Sequence, residues 1–148
     1  MILVTSFKQF NDFYIYFCDS IKNTVMVDGI YTRILYSSPS VVLNGIYISF
    51  TFKDVECEKY YNKFKLNFDI SKNETSINAI KNIEELILKK YNSTKTPQFK
   101  LGEQLNCGNI KLFNSFNTKQ LTMLLKISGI WENANNYGLT FKFYPSVV

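Results

Sequence analysis

Short runs in which apolar and polar residues alternate are the feature that most constrains the fold of this chain. Positions 46, 48, 50 and 52 are all apolar, and Tyr47, Ser49 and Thr51 stand between them. A side-chain period of two is typical of a β-strand with one buried face. Similar runs occur at 64–70, 121–131 and 137–144. The pattern therefore predicts a mostly β protein.

One stretch has helical periodicity instead. Its apolar stripe consists of Ile77, Ile80, Ile83, Ile87 and Tyr91, at the spacing of an amphipathic helix that packs on a core. The order is about four strands, this helix and three strands, within the 148 residues typical of one domain. We expect a single domain, 1–148, that is mostly β with one amphipathic helix. An OB-fold-like bent barrel of five to seven strands fits this order.

Three segments carry more specific expectations. The aromatic run 13–18 lacks alternation, which predicts a strand covered on both faces. The charged stretch 53–63 is expected to be a polar connection between strands. The residues around Gly102 and Gly108 are expected to form a connector between the helix and the last three strands.

The chain has no histidine, which removes a large block of catalytic chemistry. Histidine is the commonest metal ligand and the side chain best suited to proton transfer near neutral pH. The acidic residues show no metal-binding spacing, and no phosphate-binding glycine motif occurs. We therefore expect a non-enzyme with no catalytic residue, no metal and no cofactor. The enzyme alternative is a carboxylate-based nuclease using Asp54, Glu56 or Glu58.

The net charge of +5 comes mainly from lysine, since Arg33 is the only arginine. Excess positive charge favours polyanionic partners through counterion release. The alternative is that the lysines only keep the protein in solution. Lys, Asn, Ile, Tyr and Phe also have AT-rich codons, so part of this composition reflects codon bias.

The cysteines indicate a reducing compartment. Cys18, Cys57 and Cys107 are odd in number and irregularly spaced, which predicts free, mostly buried thiols rather than disulfides or a zinc site. The first residues do not resemble a signal peptide, and no apolar run reaches the roughly 18 residues of a membrane-spanning helix. We expect an intracellular protein without a membrane partner.

The last two predicted strands carry the most distinctive surface pattern. If their apolar residues face the core, Lys126, Lys142 and Tyr144 point outward together. Lysines that contact phosphates beside rings that stack on bases form a single-stranded nucleic-acid groove. The apolar face of the first strand is predicted to contain Met123, Leu125, Ile127, Gly129 and Trp131.

These strands also resemble a known family. Gly129-Ile130-Trp131-Glu132, a short polar loop, and Tyr137-Gly138-Leu139-Thr140-Phe141-Lys142-Phe143 resemble the closing hairpin of single-stranded-DNA-binding proteins of phages and large DNA viruses. The block from Arg33 to Ile48 is similar to strands of the same proteins, and the two stretches cover about a quarter of the chain.

The resemblance implies an OB-fold and sequence-independent binding of single strands in replication, recombination or repair. It implies single-stranded DNA as the partner, with RNA as the alternative, and a location in the host cytoplasm or nucleus. A homodimer or higher oligomer and replication proteins are further candidate partners. The candidate binding residues are Tyr31, Arg33, Tyr47, Lys53, Lys65, Lys126, Trp131, Lys142 and Tyr144.

Several candidates have a structural alternative. Trp131 either stacks on a base or belongs to the core, and Tyr31 and Tyr47 either stack on bases or form cross-strand pairs that stabilise the sheet. Arg33 either binds a phosphate group or pairs with an acidic neighbour. Lys53, Lys63 and Lys65 either line a groove or protect a sheet edge.

The alternative for the whole protein is a structural or protein-interaction β-domain, such as a virion or assembly component. Its aromatic face would then be an interface between proteins, where Tyr, Trp and Phe are also enriched.

Overall fold

The elements follow the predicted order, with additions in the segments expected to be connections. The computed structural model describes residues 4–23, 29–112 and 120–145. Within them are eleven strands and two α-helices. The strands are β1 (Ile15–Phe17), β2 (Ile21–Asn23), β3 (Gly29–Ser37), β4 (Val42–Leu43), β5 (Ile46–Lys53), β6 (Glu56–Tyr60), β7 (Lys63–Asn67), β8 (Thr96–Gln98), β9 (Asn109–Leu112), β10 (Gln120–Glu132) and β11 (Asn136–Pro145). The helices are α1 (Glu74–Tyr91) and α2 (Lys100–Asn106).

The long strand β10 organises the main sheet. Residues 120–127 of β10 pair with β5 and residues 129–132 pair with β3, while β11 pairs along the opposite edge. The short strands β1, β2 and β4 extend the sheet from β3, and β8 joins β11 in parallel. The resulting eight-stranded sheet curls into a half-barrel.

The core lies between the main sheet and α1. The alternating residues of β5 point inward, so that Ile48 and Phe52 are fully buried. Ile80 and Ile87 of the α1 stripe are equally buried and belong to the same hydrophobic cluster. The mostly β fold with one long amphipathic helix is thus confirmed, and the curled sheet is consistent with an OB-like fold. Neither described helix is long and apolar enough to cross a membrane.

A second sheet lies within segments predicted to be connections. Strands β6, β7 and β9 form this three-stranded sheet, so the interpretation of 53–63 as a connection was wrong. Every residue of β6 is exposed, and the strand is held by its ladder with β7. Backbone hydrogen bonds between strands do not require alternating apolar residues, so the charged sequence of β6 gave no sign of a strand. The main sheet alone has eight strands, so the strand count exceeds the expected five to seven even without the second sheet.

The connector expected around Gly102 also contains regular structure, the helix α2. Its first turn is stabilised from α1: the Glu84 carboxylate accepts the backbone N–H groups of Leu101 at 2.8 Å and Gly102 at 3.0 Å. No side-chain hydrogen bond caps α2 from its own preceding residue, Phe99. The sequence around α2 therefore lacks a capping signal, because the cap comes from a different helix.

Two expectations about burial were wrong. Phe13 is 79 % exposed and Tyr16 is 59 % exposed, so segment 13–18 is not covered on both faces. The reason is that β1 is a short strand at the edge of the main sheet. The thiols are also not mostly buried, because Cys57 and Cys107 are exposed and Cys18 is half-buried.

Candidate nucleic-acid interface

The face of the main sheet that points away from the core, called the outer face below, carries a row of predicted residues. Lys126 of β10 is directly opposite Tyr47 of β5 on one side and Lys142 of β11 on the other. Their neighbours Leu125 and Ile127 are fully buried on the inner face. Strand alternation therefore places Tyr47, Lys126 and Lys142 side by side on the outer face.

The amines in this row lie against aromatic rings. Lys126 Nζ is 5.6 Å from the centre of the Tyr47 ring, and Lys142 Nζ is 5.1 Å from that of Tyr144. Both distances are within the range of a cation–π interaction. Tyr144 is opposite Leu124, one step further on the outer face. Charge and aromatic surface thus alternate across three neighbouring strands.

A β-bulge changes which residues of β10 reach the outer face. The register with β11 shifts between Ile127 and Gly129, so Ser128 is the extra residue. A bulge reverses the facing of the residues that follow it. Ile130 is fully buried, while Trp131 is half-buried on the outer face. The prediction that Gly129 and Trp131 share the inward face with Met123 was therefore wrong.

Two glycines lie beneath the rings of Tyr31 and Trp131. A Cβ atom at Gly129 would be 2.5 Å from the Tyr31 hydroxyl oxygen, and one at Gly138 would be 2.8 Å from Cζ2 of Trp131. The two rings therefore lie directly over the glycine backbone. Both side chains remain partly exposed, and Lys100 Nζ lies 5.8 Å from the Trp131 ring.

The remaining predicted residues divide between the two sheets. Arg33 is exposed, opposite Gly129 on the outer face, and has no acidic partner within residues 4–23, 29–112 and 120–145. Lys53 is exposed at the end of β5, opposite Gln120. Lys65 lies on the second sheet, in β7. The outer face therefore contains every predicted binding residue except Lys65.

A partly buried polar network lies next to Trp131 in the chain, at Glu132. The Glu132 carboxylate accepts hydrogen bonds from the hydroxyls of Tyr91, at 2.6 Å, and Ser93, at 2.9 Å. Because the single Tyr91 proton goes to Glu132, the Thr32 hydroxyl donates to Tyr91 at 3.1 Å. Burial, followed by the bond to Glu132, raises the pKa of Tyr91. The network ties the end of α1 to β3 and β10.

Two acidic residues of the nuclease alternative, Asp54 and Glu56, line one pocket with Asp69. Asp54 forms an ion pair with Lys72 at 3.3 Å, and Glu58 accepts a hydrogen bond from Asn67 at 3.0 Å. In the part of the chain that the structure describes, no three acidic or cysteine side chains converge in a way that could hold a metal ion.

Sequence reasoning missed several basic and aromatic residues next to the predicted ones. Lys100 comes from the unpredicted α2, and Tyr60 and Lys111 come from the second sheet. Tyr61, at the turn between β6 and β7, is 82 % exposed. The sequence signal available was the pair Tyr60-Tyr61 followed by Asn62-Lys63, a polar turn beside two rings.

Comparisons with known proteins add no relative of this chain. No family model, no curated protein and no solved structure matches it. The resemblance of the closing hairpin to single-stranded-DNA-binding proteins therefore remains an expectation from sequence. The candidate function depends on the geometry of the outer face and on the charge of the chain.

Proposed function

We propose that this protein binds single-stranded nucleic acid, without sequence preference, across the outer face of the main sheet. The observation that carries the proposal is the row of Tyr47, Lys126 and Lys142 on three adjacent strands. In sequence-independent binding, amines follow the phosphates while rings stack on bases of any identity. The resemblance of the closing hairpin to single-stranded-DNA-binding proteins favours single-stranded DNA as the ligand.

The residues beyond the bulge extend this surface toward β3. Tyr31 and Trp131 are held over glycines and stay partly exposed. A ring that already lies in place loses little side-chain entropy when a base stacks on it. Arg33 adds a planar cation suited to phosphate or to stacking. With a net charge of +5, this arrangement supports binding that weakens steeply with salt.

The test is titration of the protein with oligo-dT at several salt concentrations, followed by the fluorescence of Trp131, the only tryptophan. We expect quenching and an affinity that falls as salt rises. Lys126→Ala should weaken binding and reduce the salt slope by about 0.7, the value for one contact with a single strand. Tyr47→Ala should cost about 1–3 kcal/mol of binding free energy.

The matched control is Lys90→Ala, because Lys90 is an exposed lysine on α1, away from the outer face. This variant should bind as the native protein does. Oligo-dT, oligo-rU and duplex DNA are compared in the same assay. If the native protein binds none of the single strands at about 50 mM salt, or if Lys90→Ala weakens binding as much as Lys126→Ala, the proposal is wrong.

Two exposed apolar side chains beside β3 favour protein interaction as a second candidate function. Ile21 is 62 % exposed and is opposite Tyr31 of β3, and Val42 of β4 is 60 % exposed and is opposite Ser37 of β3. Exposed apolar residues next to aromatic ones are typical of interfaces between proteins. A salt-insensitive oligomer that dissociates on Ile21→Ser, with no affinity for nucleic acid, would favour this function over the first.

A further inference from the structure

The turn between β6 and β7 presents two adjacent tyrosines to solvent. Tyr61 is 82 % exposed and Tyr60 is 40 % exposed, and their ring centres are 4.7 Å apart in an edge-to-face arrangement. Tyr61 also has a left-handed backbone, with φ of 55°. Glycine and asparagine adopt that conformation more easily than a bulky residue. The turn therefore carries an exposed aromatic ring at a position whose backbone conformation disfavours a bulky side chain.

Two lysines of the second sheet lie over one of these rings, that of Tyr60. Lys65 Nζ lies 4.3 Å and Lys111 Nζ 5.9 Å from the centre of the Tyr60 ring. Lys65 and Lys111 are directly opposite each other on β7 and β9, so both lie on the exposed face of this sheet. The buried side chains of Leu66 and Ile110 occupy its other face. We call Tyr60, Tyr61, Lys65 and Lys111 the hairpin cluster.

The charge on this face is unevenly distributed. Glu58 is directly opposite Lys65, in the same row as Lys111, and its carboxylate accepts a hydrogen bond from Asn67 at 3.0 Å. That row therefore holds two amines and one carboxylate, whereas the next row away from the turn holds the Glu56 carboxylate and no amine. An anionic chain is therefore attracted to the hairpin cluster and repelled from the opposite end of the same face.

A groove connects the hairpin cluster to the Trp131 end of the outer face. It lies between α2, β9 and β11 and is lined by Lys100, Glu103, Gln104, Asn109, Lys111 and Phe141. Lys111 belongs to the hairpin cluster, and Lys100 lies over the Trp131 ring. The amines at the two ends of the groove therefore join two surfaces that each combine rings with positive charge.

On the basis of the proposed function, we infer that the hairpin cluster is a second contact for the same single strand. A strand long enough to leave the outer face near Trp131 follows Lys100 and Lys111 along the groove and stacks a base on Tyr61. Short oligonucleotides contact the outer face only and do not reach the hairpin cluster. An acidic peptide would satisfy the lysines but would leave the exposed pair of rings without a stacking partner, so the chemistry favours nucleic acid.

The test measures affinity for a series of oligo-dT strands from about 4 to about 30 nucleotides, since one domain of this kind covers about 4–16. The variants are Tyr61→Asn and Lys65→Ala. Tyr61→Asn removes the ring and suits the left-handed backbone, so it should fold at least as stably as the native protein. The matched control is Lys59→Ala, because Lys59 is an exposed lysine of the same hairpin on the opposite face.

We expect Tyr61→Asn to weaken binding of the longest strands about 5- to 100-fold, as expected for one lost stacking contact, and to leave the shortest unchanged. Lys65→Ala should show the same length dependence, and Lys59→Ala should match the native protein at all lengths. By contrast, Lys126→Ala should weaken binding at every length.

Two outcomes would overturn the inference, and they are distinguishable. If the native protein binds and Lys126→Ala weakens binding, but both hairpin variants match the native protein at every length, the outer face binds alone. If Tyr61→Asn loses the binding of poly-glutamate but binds oligo-dT of every length as the native protein does, the cluster is a protein contact. Failure of the native protein to bind any strand would instead refute the proposed function itself.

Discussion

Single residues decide how the outer face is built. Gly129 and Gly138 make room for the rings of Tyr31 and Trp131, because a side chain at either glycine would overlap the ring above it. The insertion of Ser128 as a bulge residue brings Trp131 to this face. The amines of Lys126 and Lys142 then lie within cation–π distance of Tyr47 and Tyr144. The candidate interface thus depends as much on small residues as on charged and aromatic ones.

Gly129→Ala is expected to destabilise the protein by about 1–3 kcal/mol, the usual range for overpacking. Alanine normally stabilises a strand relative to glycine. At this position the same exchange is expected to lower the stability instead. The new Cβ would lie 2.5 Å from the backbone oxygen of Thr32, which has no rotamer by which to move away. Urea denaturation measures the change.

The companion variant is Gly138→Ala, where the closest atom belongs to the Trp131 side chain rather than to the backbone. This variant should shift the emission of Trp131, because the ring must move. A Gly129→Ala protein as stable as the native one would contradict the close approach of the Thr32 backbone oxygen to Gly129.

The two helices show how one element completes another. Glu84 belongs to the buried side of α1, yet its carboxylate accepts two N–H groups from the first turn of α2. Those N–H groups have no partner within their own helix. Burial raises the pKa of Glu84, and the two hydrogen bonds offset this effect only in part. The short helix α2, and with it the position of Lys100, therefore depends on α1.

The stability of the native protein relative to Glu84→Gln should increase as the pH falls from about 7 toward the ordinary carboxyl pKa. A carboxyl whose pKa is raised by folding binds protons more readily in the folded state. Its stabilising contribution is thus complete below the unfolded pKa and is lost as pH rises through the folded one. Glutamine does not titrate and supplies the reference.

Chemical denaturation of both proteins at about pH 7 and about pH 5 measures this difference. A difference that is constant, or that changes in the opposite direction, would show that the Glu84 carboxylate is not desolvated. Glu84→Ala should be less stable than the native protein by about 1–3 kcal/mol, because the N–H groups of Leu101 and Gly102 lose their acceptor.

At the scale of the whole molecule, one hydrophobic cluster supports two surfaces that combine rings with positive charge. The outer face belongs to the main sheet, and the hairpin cluster belongs to the second sheet. The candidate contacts on both are lysine, arginine and aromatic side chains. The chain contains no histidine, whose charge changes between pH 5 and 8.

Affinity for oligo-dT is therefore expected to stay within about twofold between about pH 6 and pH 8 at constant salt, because no histidine charge changes in this range. Fluorescence titration at matched ionic strength measures this. Thermal unfolding at each pH serves as the control for folding. A tenfold change in affinity while the protein remains folded would mean that another titrating group takes part in binding.

Much of the fold could be predicted because strand alternation and helical periodicity are local properties of the sequence. Ile48 and Phe52 were assigned to the buried face of β5 from alternation alone, and Ile80 and Ile87 to the buried stripe of α1. The joint exposure of Lys126, Lys142 and Tyr144 follows from the same rule. Strand β6 escaped prediction because only its pairing with β7 makes it a strand.

What the sequence by itself determined is the mostly β character, the single long helix, the excess of positive charge and the absence of histidine chemistry. Only the tertiary structure decided that Trp131 lies on the outer face, that Glu84 caps α2, and that Lys100 and Lys111 line one groove. The physical reason is that the alternation of apolar and polar side chains is set by residues that are neighbours in the sequence, and it can therefore be recognised there. Register, bulges and caps depend instead on partners contributed by distant parts of the chain.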